Sequence, residues 1–434
     1  MLAQALPQRP SVLIVADDLS GAADSAVACA QRGLETVVAF GPSSDAGQAD
    51  ALALDADTRR MTAGEAATET TRLVRSHATN RARVLFKKID STLRGHIGVE
   101  LAAWLDALRS TGPSARRAIA VLAPAFPALK RTTVAGRQHL DGVPLEHTEL
   151  WRRERMTGNA CLPDIVAAAG LASGHVAIET MRRGDDAIRA AIRDLIDRAD
   201  VVVCDAVTDD ELAALARASV AIGGDVLWVG SAGLVGHLID AAGLTRAPTR
   251  FGPAAPAAGP LLFVVGSLSP VSRDQATLLA AQDVVVVTID GSMLDSAASL
   301  DHVADRLAAA TATGKDILLM TTSNLAHSPA ETAALRDLLS KLIAAQASHI
   351  GGLFATGGET ARTVLTSMGI TALRLVGEVE RGVPLSIAVG PRGVPVITKA
   401  GAFGSVATML DCRRALRAWG SPAWHSPPSR EACI

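Results

Sequence analysis

The sequence predicts an α/β protein of two domains, each with a mainly parallel sheet flanked by helices. Short apolar runs with little polar alternation recur along the chain, at 11–16, 84–86, 118–123, 201–203, 226–229 and 261–265. Such runs suit strands buried on both faces of a parallel sheet. Each run ends in a polar or glycine turn, and helical periodicity usually follows, the rhythm of βα units. At 246–260 (RAPTRFGPAAPAAGP) the rhythm stops in a Pro/Ala/Gly stretch without amphipathic period, then restarts. The expected division is therefore 1–245, a linker at 246–260, and 261–434, and 434 residues suffice for it.

The first strand, 11–16, runs into Asp17-Asp18-Leu19-Ser20-Gly21 and a helix of small residues such as Ala22, Ala26 and Ala30. Two adjacent carboxylates at a strand end can hold magnesium, bind sugar hydroxyls or take a proton. A helix cap would need only one of them. Strands follow at 36–40 and 51–54, the latter ending in Asp55-Ala56-Asp57-Thr58-Arg59-Arg60. The run 84–86 leads into Lys87-Lys88-Ile89-Asp90-Ser91-Thr92-Leu93-Arg94-Gly95, and helical periodicity resumes at Ile97, Leu101, Trp104, Leu105 and Leu108. That turn gathers cations, a carboxylate, two hydroxyls and a glycine, and capping accounts for a single hydroxyl. In open α/β sheets ligands sit at the carboxyl ends of strands. Charged turns meeting there offer acids for hydroxyls and arginines for a carboxylate, gripped by two parallel bonds.

After 118–123 and Pro124-Ala125-Phe126-Pro127, a basic, hydroxyl-rich segment at 130–140 either closes over a ligand or joins elements. The lone His147 reads as structural. The βα rhythm continues through runs at 176–178, 201–203 and 226–229. Beyond the linker, three strand ends carry glycine or hydroxyl turns: Gly266-Ser267-Leu268-Ser269-Pro270, Thr356-Gly357-Gly358-Glu359-Thr360 and Lys399-Ala400-Gly401-Ala402-Phe403-Gly404. Glycine turns that open helices aim backbone N–H groups and the helix dipole at a phosphate. No G-x-x-x-x-G-K-[ST] occurs and no G-x-G-x-x-G follows the first strand, so a nucleotide would bind outside both fingerprints. Residues after Ala418 read as poorly packed.

The formal net charge of −2 and an aromatic content of 3%, without tyrosine, argue against nucleic acid as partner. Five scattered cysteines without metal-ligand spacing read as free thiols of a reducing cytosol. No leader pattern opens the chain and no run approaches about 18 apolar residues. The expectation is a cytoplasmic protein with no membrane contact.

Six ordered motifs carry a resemblance that spans 12–411: Ala16 to Ala22, Lys88 to Gly95, Pro124 to Pro127, Gly266 to Pro270, Gly357 to Thr360 and Lys399 to Gly404. In these the chain resembles the four-carbon acid sugar kinases. The resemblance implies an N-terminal domain that binds a tetronate-type acid, a C-terminal domain that binds ATP, and an active site in the interdomain cleft. The implied reaction phosphorylates the 4-hydroxyl, with D-threonate the first expectation and erythronate, L-threonate or 3-oxo-tetronate the alternatives. It assigns the acid to Asp17, Arg59, Lys88, Asp90, Ser91, Thr92, Leu93 and Arg94, and the catalytic carboxylate to Asp17 or Asp18. It assigns ATP to Ser267, Gly357, Gly358, Glu359, Thr360 and Gly401, with Mg2+ on the phosphates and no metal ligand named. Ser20 stands where the family often has Thr and Ala402 where Gly is common; both keep the small or hydroxyl character. A homodimer is expected for an aliphatic enzyme of this size. Two readings from other classes compete: a non-catalytic sugar-acid-binding regulator, and a hydroxy-acid dehydrogenase, which the missing dinucleotide fingerprint disfavours.

Overall fold

The computed structural model describes residues 10–41, 49–77, 82–111, 118–224, 226–247, 259–267, 269–290, 293, 297–322, 329–390, 392–401 and 403–420. Most of the linker expected at 246–260, and the residues beyond 420, lie outside them. Contacts divide the chain into a first unit, Met1–Thr36 with Ala46–Thr249, and a second, Val37–Asp45 with Arg250–Ile434.

In chain order the N-terminal elements are β1 (Val12–Ala16), α1 (Leu19–Ala30), β2 (Thr36–Ala39), β3 (Ala51–Asp55), α2 (Ala63–His77), β4 (Val84–Lys88), α3 (Ile97–Thr111) and β5 (Ile119–Ala123). The short strands β6 (Arg131–Val134), β7 (Arg137–Leu140) and β8 (Val143–Pro144) follow, then α4 (Glu149–Arg153), α5 (Leu162–Ala168) and β9 (Ser173–Val176). The half closes with α6 (Ile178–Met181), α7 (Asp185–Ile196), β10 (Val201–Cys204), α8 (Asp209–Val220), β11 (Val226–Gly230) and α9 (Ala232–Ala241).

In the first unit the strands run β3-β1-β4-β11-β5-β10-β9, every pair parallel. The chain leaves β1 toward β3 on one side and returns through α2 to β4 on the other. The crevice between β1 and β4 is thus a topological switch point, where turns diverge and leave room for a ligand. All five residues of β1 are buried, as the unbroken apolar run requires. On α1 the small buried residues Gly21, Ala22, Ala23 and Ala26 let the helix lie close to the sheet.

The second unit contains β12 (Leu261–Val265), α10 (Pro270–Ala280), β13 (Val285–Ile289), α11 (Ala297–Ala312), β14 (Ile317–Thr321), α12 (Pro329–Gln346) and β15 (Gly352–Thr356). These are followed by α13 (Gly358–Ser367), β16 (Ala372–Glu378), β17 (Pro384–Ala388), β18 (Pro395–Lys399) and α14 (Thr408–Ala418). Its strands run β13-β14-β12-β15-β18-β17-β16-β2, parallel from β13 to β18 and antiparallel thereafter. β2 counts here because Val37, Val38 and Ala39 pair with Arg374, Leu373 and Ala372. The switch point lies between β12 and β15.

Two local expectations, the run at 176–178 and the poor packing after Ala418, need correction. The run at 176–178 is not one strand: β9 ends at Val176 and Ile178 opens α6. β9 sits at a sheet edge with Ser173 and His175 exposed, so its apolar signature is weak. Segment 130–140 is a β6–β7 hairpin that continues into β8 as a small antiparallel sheet. Trp419, after the last helix, is 2% exposed and belongs to the core formed by Phe263, Phe354 and Met409. Among the described residues no helix is long and apolar enough to cross a membrane. Cys29, Cys204 and Cys412 are buried free thiols, and burial pushes each above the usual thiol range, Cys29 to about 12.

Candidate active site

At the switch point of the first unit, the turns after β1, β3 and β4 converge on one guanidinium. Arg59 Nε donates to Asp17 Oδ2 at 2.7 Å, Nη2 to Asp17 Oδ1 at 3.0 Å and Nη1 to Asp18 Oδ2 at 2.7 Å. All three guanidinium nitrogens are therefore committed to the two aspartates. Asp18 also caps α1, its Oδ1 accepting from Gly21 N at 2.8 Å. Burial alone would raise the Asp17 carboxyl; Arg59, with Lys87 and Lys88, outweighs it and holds the group below its usual range. Burial likewise pulls on the Arg59 guanidinium, but Asp17, Asp18 and Asp90 hold it well above the ordinary arginine value. The side chain of Asp17 is 2% exposed and that of Asp18 20%, so Asp18 is the carboxylate open to a ligand.

Strand alternation separates the two lysines of β4. Lys87 is fully buried and ion-paired to Glu100 of α3 at 2.8 Å, and Glu100 also accepts from Thr58 Oγ1. Lys88 points the other way: a Cβ added at Gly21 would lie 2.9 Å from its Nζ and 2.7 Å from Asp18 Oδ1. Its ammonium thus stands over the start of α1 beside Asp18.

The turn 90–95 is folded by its own aspartate. Asp90 Oδ2 accepts from Thr92 Oγ1 and from Arg94 Nε, each at 2.5 Å, while Leu93 N donates to Asp90 O at 2.8 Å. Burial would raise the Asp90 carboxyl; Arg94, Arg59 and Thr92 overcome this and hold it well below the carboxylate range. Leu93 has φ 61 and a buried side chain, so it offers the ligand backbone only. Gly95, at φ +94, answers two demands at once. An added Cβ there would sit 2.9 Å from Asp17 Oδ2, so the glycine admits both the left-handed turn and the carboxylate.

Segment 130–140, undecided from sequence, borders the same cluster. Arg131 Nη1 donates to Ser91 Oγ at 2.5 Å and Gln138 Nε2 to Ser91 O at 2.9 Å. Arg131 is the site residue that sequence reading missed: it stands about forty positions from its partner, and only the hairpin brings it there. The available signal was a basic segment directly after a strand-end turn.

In the second unit the glycine turns also converge. Gly357 N donates to Lys399 O at 2.8 Å, Thr360 packs onto Gly266, and Ser267 packs onto Gly401. A Cβ at Gly401 would overlap Ser267 Oγ, so any side chain there would have to displace the serine hydroxyl. Helix α13 starts from Gly357 without a side-chain cap. Above Gly357 an added Cβ would approach only Thr360 Oγ1, at 3.8 Å, which suits a backbone site for phosphate. Glu359 lies in the first turn of this helix, where the dipole favours an acid. Lys399, unassigned from sequence, is 1% exposed; its Nζ donates to the carbonyls of Ala400, Gly401 and Phe403 at 3.0–3.1 Å. Burial lowers it to about 8, against opposing pulls from Cys412 and Glu380. Ser272 and Gln275 bind the same loop at Gly401 O, Phe403 O and Ser405 O. Among the described residues no group of three His, Cys, Asp or Glu side chains is placed to hold a metal.

Residues 12–238 match the model of a sugar-binding N-terminal domain, and residues 262–409 that of a nucleotide-binding C-terminal domain. The chain belongs to the four-carbon acid sugar kinase family. A D-threonate kinase of Cupriavidus necator is 41% identical, with 95% of this chain and all of that protein covered. A D-threonate kinase of Bordetella bronchiseptica is 32% identical over 94% and 98%. A 3-oxo-tetronate kinase of Cupriavidus necator is 27% identical over 93% and 96%. The fold is shared with a solved Salmonella typhimurium LT2 protein (TM-score 0.77, 22% identity, 93% of this chain and 98% of that one). It is shared as well with a Haemophilus influenzae protein of the DUF1537 family (TM-score 0.72, 21% identity, 93% and 100%).

Proposed function

We propose that the protein is an ATP-dependent kinase that phosphorylates the 4-hydroxyl of D-threonate. The observation that carries this reading is the convergence of Asp17, Asp18, Arg59, Lys88 and the 90–95 turn on one switch point, in a chain whose second unit presents an amide cradle. The choice of D-threonate rests on relatives: within Cupriavidus necator the D-threonate kinase is 41% identical and the 3-oxo-tetronate kinase 27%. The use of ATP argues for a cytoplasmic setting.

Phosphoryl transfer asks mainly for positioning and charge neutralisation, because its transition state is loose. In this reading Asp18 accepts the hydroxyl proton, being the more open of the pair, while Asp17 stays ionised and fixes Arg59. Lys88, a compact charge beside Asp18, faces the transferred phosphoryl group. Thr92 and Asp90 shape the turn that carries Ser91 and Arg94 to the sugar acid. In the second unit the amides of Gly358, Glu359 and Thr360 hold the ATP phosphates, with Gly357, Ser267 and Gly401 shaping the cradle. Mg2+ would come with the ATP phosphates and would supply charge neutralisation there, which demands few protein ligands.

The test is ADP release with ATP and magnesium across D-threonate, L-threonate, D- and L-erythronate and 3-oxo-tetronate. Turnover highest on D-threonate is expected. Turnover on another isomer would move the substrate, and ATP binding without turnover on any would favour a sugar-acid-binding regulator.

A further inference from the structure

The first site contains three arginines, and their donors are unequally used. Arg59 spends a hydrogen of each of its three nitrogens on Asp17 and Asp18. Arg94 spends Nε on Asp90, and its Nη1 lies 3.8 Å from Glu154 Oε2. Arg131 differs. Its one side-chain hydrogen bond is Nη1 to Ser91 Oγ, its buried Nε has no partner, and among the described residues it forms no ion pair. The side chain is half-buried, and its buried Nε is an unmet donor, which costs stability.

Its position is nonetheless fixed. Arg131 opens β6, bracketed by Phe126 N donating to Arg131 O at 2.7 Å and Arg131 N donating to Phe126 O at 3.1 Å. Gln138, paired with Thr133 across the hairpin, ties the Ser91 carbonyl to the same small sheet. Charged groups act on Arg131 from three sides. Burial pulls its guanidinium below the ordinary arginine range, Asp90 and Asp24 oppose this, and Arg94 adds to it. Asp90, however, already serves Arg94 and Thr92. Arg131 thus has no carboxylate of its own among the described residues.

We infer that Arg131 is the specificity residue that binds the carboxylate of the acid substrate, through the remaining hydrogens of its terminal Nη1 and Nη2 together with the Ser91 hydroxyl. Ser91 Oγ accepts from Arg131 and so keeps its own hydrogen to donate. A planar carboxylate matches the fork of an arginine, whereas Lys88 is a point charge better suited to phosphate. Arg59 is ion-paired to Asp17 and Asp18, and Arg94 to Asp90 with Glu154 close by, so each already has an acid of the protein as partner. The inference rests on the kinase reading above and deepens it.

The experiment measures ADP release by the full chain for wild type, Arg131→Ala, Arg131→Gln and Arg131→Lys, varying D-threonate and ATP separately. Arg131→Ala should raise the KM for D-threonate on the order of 100-fold, leaving the KM for ATP within about twofold. Arg131→Gln keeps a donor for Ser91 but no charge, so it should fail as Arg131→Ala does; recovery in Arg131→Gln would mean that Arg131 only pins the turn. Arg131→Lys keeps the charge without the fork, and a rise of about tenfold is expected; it carries the test if Arg131→Ala does not fold. Wild-type turnover with a KM for D-threonate within threefold in both Arg131→Ala and Arg131→Gln would overturn this inference alone. No wild-type turnover on any four-carbon acid would overturn the kinase reading, and this inference with it.

Discussion

In the first unit the turns after β1, β3 and β4 meet around a guanidinium; in the second, those after β12, β15 and β18 meet around glycines. Each unit has a switch point in its parallel strands, between β1 and β4 in the first and between β12 and β15 in the second. The difference lies in what fills the approach. Asp17, Asp18 and Arg59 form a buried ionic network whose side chains define the first site. Gly357 and Gly401 remove side chains, so that main-chain amides define the second. A sugar acid, with hydroxyls and one charge at defined positions, needs directional side chains. A polyphosphate is recognised as well by N–H groups and a helix dipole. The comparison teaches that side-chain variation should change the acid, while backbone strain should change the nucleotide.

Arg59→Ala should break the first site most severely, because it strands two carboxylates. A loss of about 3–5 kcal/mol of first-unit stability is expected, read by urea unfolding, with turnover abolished and nucleotide affinity retained. A matching loss of nucleotide affinity would contradict the separation of roles.

Asp90→Asn should cost less, about 2 kcal/mol at neutral pH, since one buried carboxylate hydrogen-bonds Thr92 and Arg94. Its pH signature is distinctive. The folded group lies well below the ordinary value of 3.8, so as acid is added the unfolded chain takes up the proton first. The stability Asp90 contributes is full above 3.8 and lost as pH falls toward the lower folded value. Acid unfolding curves of wild type and Asp90→Asn should therefore converge at low pH.

The smallest effect at neutral pH belongs to Lys399. Its folded value is about 8 against 10.5 for a free lysine, so across that window the folded protein has released a proton that the unfolded chain retains. Stability of the second unit should rise with pH over this range, and Lys399→Met should flatten the rise. A flat wild-type profile would mean that the three carbonyls around Nζ offset its burial entirely.

The strands and their polar ends were legible in the sequence because buried parallel strands are short unbroken apolar runs, as in β1, β12 and β15. Edge and antiparallel strands were not: β9 exposes alternate residues, and β16 with β17 form a ribbon whose pairing no local pattern announces. The Asp17–Asp18 pair was visible as chemistry, but the sequence could not tell that Asp17 is buried on Arg59 while Asp18 caps a helix and stays open. The resemblance singled out Lys88 of the two adjacent lysines, and strand alternation supplies the reason by sending Lys87 to Glu100. Arg131 was illegible because its role depends on a hairpin returning to a turn forty residues earlier. Local spacing carries elements and turn chemistry; donor accounting needs the fold.

The most direct measurement is the pair of Michaelis constants in Gly95→Ala and Gly401→Ala. Each adds one methyl group, 2.9 Å from Asp17 Oδ2 in the first case and 2.2 Å from Ser267 Oγ in the second. The account predicts that Gly95→Ala raises the KM for D-threonate by about tenfold or more and leaves that for ATP unchanged, while Gly401→Ala does the reverse. Equal effects on both constants in either variant, or the opposite assignment, would contradict it.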